Sequence, residues 1–304
     1  MVRNIPEWLA PTSLEEALEL RTRYGDDAVV VAGGTFIGIL MSQKIMVPQV
    51  LLTLRYVREL AFIEDQRSGG YLQDVPLHDR QDNSLRIGAM TTHRDVERSA
   101  VVRQDLPILA YTFALVASPR VRNQATVGGV LADADYASDP PTMLNALNAR
   151  AVARSLGGER EIPIEELITG YYETSLRPDE LLTEVRIPQN VERAVYRKFR
   201  SRSSEDRPCV AVAATQIDGK LRVVVGAVAE RPQYFPDICN VVSSPQGDRK
   251  DRPYGEQLNR EVATEIGRRY AEAIQPISDS RGSAEYRRRV IAVEVRRALE
   301  EMMP

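Results

Sequence analysis

The chain has few of the residues that hold metals or perform covalent chemistry. Its 304 residues include two cysteines, Cys209 and Cys239, and two histidines, His78 and His93. Two cysteines exclude a disulfide-built secreted scaffold. They also exclude an iron–sulfur cluster held by four thiolates of this chain. A structural zinc site would need every soft ligand present. A Ser-His-Asp or Cys-His enzyme would have to use one of the two histidines. No charge sign dominates: 40 Lys plus Arg oppose 43 Asp plus Glu, a net of −3. Such a chain is no general polyanion binder, which argues against nucleic acid as a partner. Long apolar runs are missing as well. The longest uncharged stretches, 28–43 and 106–119, fall short of the roughly 18–20 apolar residues of a membrane span. The first eight residues, ending in Pro6-Glu7-Trp8, lack the basic-then-apolar pattern of a secretory signal. A cytoplasmic protein without a membrane span is expected.

What is present reads as an ordinary folded chain. Apolar residues make up 43% and charged residues 27%, and at roughly 150 residues per domain the length predicts about two domains. Ser13 followed by Glu16 is a capping signal for a helix that buries Leu14, Ala17 and Leu18 and stops at Gly25. Strands are predicted at 28–32, 50–54 and 85–90. Thr91-Thr92 caps a short helix through Val96, and Pro107 opens a longer one through Ala117. Residues 118–134 read as ordered loop, and Pro140-Pro141 opens another helix. The polar stretch 64–84 reads as a surface loop or hairpin insertion. Further on, 211–217 and 221–229 form a hairpin across Asp218-Gly219. A linker at 243–255 precedes two final helices. Mixed strands and helices without repeats predict an α+β architecture of two or three subdomains.

Two glycine pairs carry the first chemical signal. Gly33-Gly34-Thr35 follows a buried strand. Consecutive glycines present backbone N–H groups and let anionic oxygens approach closely, as a pyrophosphate requires. Alone, the motif reads first as a tight turn between two buried elements, and it is not G-x-G-x-x-G. A second pair, in Thr126-Val127-Gly128-Gly129, allows one diphosphate to be gripped from two sides. Asp139 is a candidate acceptor for ribityl or ribose hydroxyls, and by spacing is equally an N-cap for the helix at Pro140. Both histidines read as surface residues, and Cys209 as a buried, inert thiol. The arginine-rich C-terminus, with Arg281, Arg287, Arg288, Arg289, Arg296 and Arg297, reads as a solvated face or a docking face.

The ordered set of motifs resembles the FAD-binding medium subunit of the molybdenum hydroxylases, the carbon monoxide dehydrogenase and xanthine dehydrogenase family. The resemblance rests on 31–35, on Leu85-Arg86-Ile87-Gly88-Ala89 and on Arg122 through Gly129. It continues through Gly170 to Leu182, Ile187-Pro188, Tyr196-Arg197-Lys198 and Ser278-Asp279-Ser280-Arg281. It implies a fold like that of vanillyl-alcohol oxidases: two α+β subdomains, 1–55 and 56–178, hold FAD, and a C-terminal α+β subdomain with an antiparallel sheet, 179–304, covers the flavin. Ala32, Gly33, Gly34, Thr35, Phe36, Ile37 and Gly38 would wrap the pyrophosphate. Thr126, Gly128 and Gly129 would form the second loop, and Asp139 would bind the ribityl chain. Leu182 would pack near the isoalloxazine ring, with Tyr196 and Lys198 beside it. Without the resemblance, Tyr196 reads as core and Lys198 as one charge in a basic surface run.

The resemblance further implies a large partner with the molybdenum cofactor and a small partner with [2Fe–2S] clusters, in a dimer of heterotrimers. No metal and no catalytic residue is then needed in this chain. Phe36, Val130, Asp133 and Tyr136 depart from the family pattern and bear on individual contacts. Two other readings compete: a stand-alone FAD oxidase or dehydrogenase of the same fold, and a scaffold that has lost its flavin.

Overall fold

The computed structural model describes residues 5–66, 84–203, 207–240 and 258–303. His78, most of the 64–84 stretch and the 243–255 linker lie outside the described residues. The chain opens with β1 (Glu7–Leu9), α1 (Leu14–Tyr24), β2 (Ala28–Val31), α2 (Thr35–Ser42) and β3 (Val50–Thr53). Ser13 caps α1 by accepting from the Glu16 amide at 3.2 Å, and the Glu16 carboxylate reaches back to the Thr12 amide at 2.8 Å. The three strands form a parallel sheet in the order β1-β3-β2. Parallel neighbours require crossovers, and α2 is the crossover from β2 to β3.

The second layer system begins with β4 (Ile63–Asp65), β5 (Ser84–Gly88), α3 (His93–Arg98), α4 (Ala100–Asp105) and α5 (Pro107–Ala114). It continues with α6 (Pro119–Arg122), α7 (Val127–Ala132), α8 (Asp139–Ala146), β6 (Arg150–Ser155), β7 (Gly158–Pro163) and α9 (Ile164–Leu167). A small hairpin of β8 (Ile168–Gly170) and β9 (Glu173–Thr174) precedes β10 (Leu181–Pro188). The antiparallel sheet runs β4-β5-β10-β6-β7, and its core joins Leu85, Ile87 and Val185 to Leu109, Phe113 and Met143 of the helices.

Residues 118–134 are not loop. They hold α6 and α7, because Ser118 and Thr126 accept from the Val121 and Gly129 amides three residues on. Each hydroxyl satisfies a free first-turn donor, and this outweighs the low helix propensity of Gly128 and Gly129.

The last part holds β11 (Val191–Phe199), β12 (Val210–Ile217), β13 (Lys220–Gly226), β14 (Gln233–Tyr234), α10 (Pro236–Cys239), α11 (Arg260–Ala273) and α12 (Ala284–Glu301). The strands form one antiparallel sheet in sequence order. Asp218 and Gly219 both take positive φ, 49° and 70°, as the twist-matched two-residue hairpin turn requires. Every residue of β12 but its last is buried, because α11 and α12 cover one face and α8 the other. The architecture is therefore mixed helix and sheet, with antiparallel sheets in two of its three parts.

Two charged side chains expected in solvent are core. Arg287 is 0% exposed and donates to the carbonyls of Cys209 and Ile277 and to Asp279, at 3.0, 2.7 and 2.8 Å. Burial without such partners would be prohibitive. Glu294 is buried with it, paired to Arg197 at 2.7 Å.

Helix α8 meets β13 at a glycine. A Cβ on Gly226 would sit 1.9 Å from Thr142 Oγ1. Gly226→Val should lower unfolding free energy by about 1–3 kcal/mol through overpacking, measured by urea denaturation. An unchanged midpoint would show that this seam carries no close packing.

Candidate cofactor-binding site

The first glycine pair ends β2 and starts a helix, an element the sequence reading had not assigned there. Gly34 takes φ 70° and caps α2 without a side chain. The amides of Thr35, Phe36 and Ile37 therefore keep no side-chain acceptor among the described residues, and they point from a helix N-terminus. Gly38 differs: its amide donates to the Gly34 carbonyl at 2.9 Å.

The second pair lies in the first turn of α7. Gly128 donates to the Ala89 carbonyl at 2.8 Å and Val127 to that of Thr91 at 3.0 Å. Gly129 donates to Thr126 Oγ1 at 3.1 Å. The segment 89–93 thus holds this loop in place. His93 completes the brace. Its amide donates to the Ala125 carbonyl at 2.8 Å, and its Nε2 lies 3.2 Å from the Thr126 carbonyl. The ring is buried, not at the surface, and meets Phe113 edge-on. Burial lowers its pKa to about 4. No sequence signal separated it from a surface histidine, because its partners lie some 30 residues away.

The two loops touch. A Cβ on Gly33 would fall 1.9 Å from the Gln124 carbonyl oxygen, and one on Gly129 would come 3.5 Å from Ala32. Gly33 therefore lets the N-termini of α2 and α7 approach; the free first-turn amides are those of α2, since Val127, Gly128 and Gly129 already donate to Thr91, Ala89 and Thr126. That chemistry fits a diphosphate.

Asp139, Tyr196 and Lys198 also converge, from α8 and β11. The Tyr196 hydroxyl donates to Asp139 Oδ1 at 2.7 Å. Lys198 Nζ donates to Asp139 Oδ2 at 2.8 Å and to the Leu115 carbonyl at 2.9 Å. Ser138 is the helix N-cap and Asp139 the first helical residue, so Asp139 is not the cap. Lys198 is not a surface charge either, since its side chain is only 3% exposed. Burial pushes Asp139 up and Lys198 down, while their mutual attraction opposes both shifts. Leu182 is buried in the same core as Tyr196.

Two of the departing positions acquire partners. Phe36 stacks on Tyr172, with centroids 5.6 Å apart and planes at 11°. Tyr136 donates to Asp279 at 2.9 Å and accepts from Arg281 at 2.6 Å. Asp133 ends α7. Burial and the nearby Asp135 raise its pKa to about 7, with Arg207 opposing.

Two glycine-bearing helix starts, one after the parallel sheet and one packed on the antiparallel sheet, thus meet in this fold. Residues 3–190 match the family model of the FAD binding domain in molybdopterin dehydrogenase. Residues 194–302 match the CO dehydrogenase flavoprotein C-terminal domain. The nicotine 6-hydroxylase medium subunit of Paenarthrobacter nicotinovorans is 31% identical, over 97% of this chain and 96% of that one. The carbon monoxide dehydrogenase medium chain of Afipia carboxidovorans is also 31% identical, over 99% and 97%. Among solved structures, quinoline 2-oxidoreductase from Pseudomonas putida 86 superposes with TM-score 0.82 at 26% identity, covering 98% of this chain and 96% of that one. The chain belongs to the FAD-binding medium subunits of the molybdenum hydroxylases, and it is an oxidoreductase component.

Two outcomes follow from this geometry. Gly33→Ala should weaken FAD binding about 10- to 100-fold, the equivalent of 1–3 kcal/mol of forced separation, read by flavin fluorescence titration. Wild-type affinity would show that the loops need not touch. Asp133 gives a pH signature. The folded chain keeps its proton up to about pH 7, whereas the unfolded chain loses it near about pH 4. The folded state then binds more protons across that window, so stability falls as pH rises through it. Asp133→Asn should match wild type below the window and melt higher above pH 7, measured by calorimetry across pH.

Proposed function

We propose that this chain is the electron-transfer flavoprotein of a cytoplasmic, heteromeric molybdenum hydroxylase. It would take electrons from the [2Fe–2S] clusters of a small partner and deliver them to an external acceptor. A large partner would carry the molybdenum cofactor and the substrate chemistry, in a dimer of heterotrimers. Bound FAD supplies exchange of both single electrons and electron pairs.

The meeting of the two glycine loops carries the reading. The amides of 35–37 and the Thr126–Gly129 turn would hold the diphosphate, with Ala32 and Gly33 at the contact between the loops. Asp139 would orient the ribityl chain. Leu182 would close on the ring, with Tyr196 alongside. Lys198 would keep a positive charge near it, which favours an anionic reduced ring. The relatives' names support the subunit role: they describe medium subunits of nicotine and carbon monoxide enzymes. Among the described residues, no helix is long and apolar enough to cross a membrane.

A stand-alone oxidase would need a free base over the flavin. Asp139, Tyr196 and Lys198 instead satisfy one another, which favours the subunit reading. Purified alone, the chain should bind one FAD and show no turnover with small substrates. Purified from its source by a tag, it should bring a large and an iron-bearing small polypeptide. Turnover by the isolated chain would overturn the reading, as would absence of flavin bands after FAD addition.

A further inference from the structure

Tyr172 holds a backbone shape that suits glycine and strains an aromatic residue. It sits in the turn between β8 and β9 with φ 59°. A bulky side chain in the left-handed region is an outlier. Its amide donates to the Ala134 carbonyl at 3.2 Å. Ala134, two residues past α7, is left-handed too, at φ 46°. Both ends of this hydrogen bond therefore rest on strained non-glycine residues, and such strain persists only where the surroundings impose it. Backbone conformation alone would favour glycine at 172, so the ring must supply something that glycine would not.

The ring's partner indicates what. It stacks on Phe36, with centroids 5.6 Å apart and planes at 11°. Phe36 is the second residue of α2, and its amide is one of the free first-turn donors. One residue thus meets the far end of α7 with its backbone and the near end of α2 with its ring. The contact of Gly33 with Gln124 sets how closely the two helices approach, and the stack joins them at a second point. Tyr171, beside it in the turn, meets Tyr136 edge-on at 5.5 Å, and Tyr136 bonds Asp279 and Arg281. The turn is therefore anchored away from α2 as well. Tyr172 is 50% exposed, so its ring borders solvent and can leave Phe36 without opening the core.

We propose that Tyr172 is a positioning residue for FAD: stacked on Phe36, its ring fixes the first turn of α2 and slows release of the diphosphate held there. The proposal rests on the reading that the amides of 35–37 hold that diphosphate. Aromatic pairs attract beyond their buried area, and a turn already fixed in place has less freedom to lose when a ligand binds. Phe36 departs from the family pattern, and the stack accounts for an aromatic ring there.

The test measures FAD release from the purified full chain, by flavin fluorescence after dilution, with melting of the FAD-free chain alongside. Tyr172→Gly removes the ring and relieves the backbone strain together. It should release FAD about threefold to tenfold faster, the range of one aromatic pair, while the FAD-free chain melts no lower than wild type. Tyr172→Phe should release FAD at the wild-type rate, because stacking needs the ring and not the hydroxyl. Phe36→Ala should match Tyr172→Gly, and the two combined should add nothing further. Wild-type release from Tyr172→Gly would overturn the proposal. So would fast release from Tyr172→Phe, additive effects in the double variant, or fast release that comes with a lower melting temperature. If Tyr172→Gly folds poorly, Phe36→Leu, which keeps apolar bulk without a flat ring, must show the faster release. Equal wild-type affinity for FAD and for riboflavin, which has no diphosphate, would instead refute the diphosphate reading itself.

Discussion

The structure turns on the contact of Gly33 with the Gln124 carbonyl. One partner ends a strand of the parallel sheet, and the other precedes a helix packed on the antiparallel sheet. No side chain fits between them, since a single Cβ would overlap the oxygen at 1.9 Å. The consequence is electrostatic as well as steric. The free first-turn amides of α2, beside this contact, favour negative charge there. The cleft is held from behind by 89–93, whose backbone bonds and His93 fix the second loop.

A second constraint ties the C-terminal sheet to this frame. Tyr196 and Lys198 lie two apart on β11, so both point to the α8 side. There they share one carboxylate, Asp139, at the start of α8, where a helix N-terminus also favours it. Lys198 further holds the Leu115 carbonyl at the end of α5. Three elements are registered by one buried cation. Ion pairs of this kind give little net stability, because desolvation offsets attraction. Losing either partner, however, strands the other charge, so the arrangement admits few alternatives.

Much of this was legible in the sequence, and the misses share a cause. The Ser13 cap, the Asp218-Gly219 hairpin and the periodic final helices are local signals, and they appear as expected. The glycine pairs were read as turns because glycine breaks helices on average. Here they open helices, where free amides rather than propensity decide. The run from Arg197 to Arg202 looked solvated because its charges were counted together. Strand alternation divides them: Lys198 turns to Asp139 on the α8 side of the sheet and Arg197 to buried Glu294 of α12 on the other. Arg287 was misread in the same way. It stands on the stripe of Val290, Ile291, Glu294, Val295 and Ala298, and that 3–4 spacing predicts burial whatever the residue type. The partners that make these burials possible lie far off in the chain, where local patterns carry no information.

Several polar groups at the seam of the molecule are spent on one another. Asp139 serves Tyr196 and Lys198. Asp279 serves Tyr136, Arg281 and Arg287. His93 serves Thr126. Side chains so engaged are poorly placed to attack a substrate. Of the two histidines and two cysteines, His93, Cys209 and Cys239 are all buried. The surface shows the opposite bias. Ile39 of α2 and, beyond it, Ile45 and Val47 are exposed.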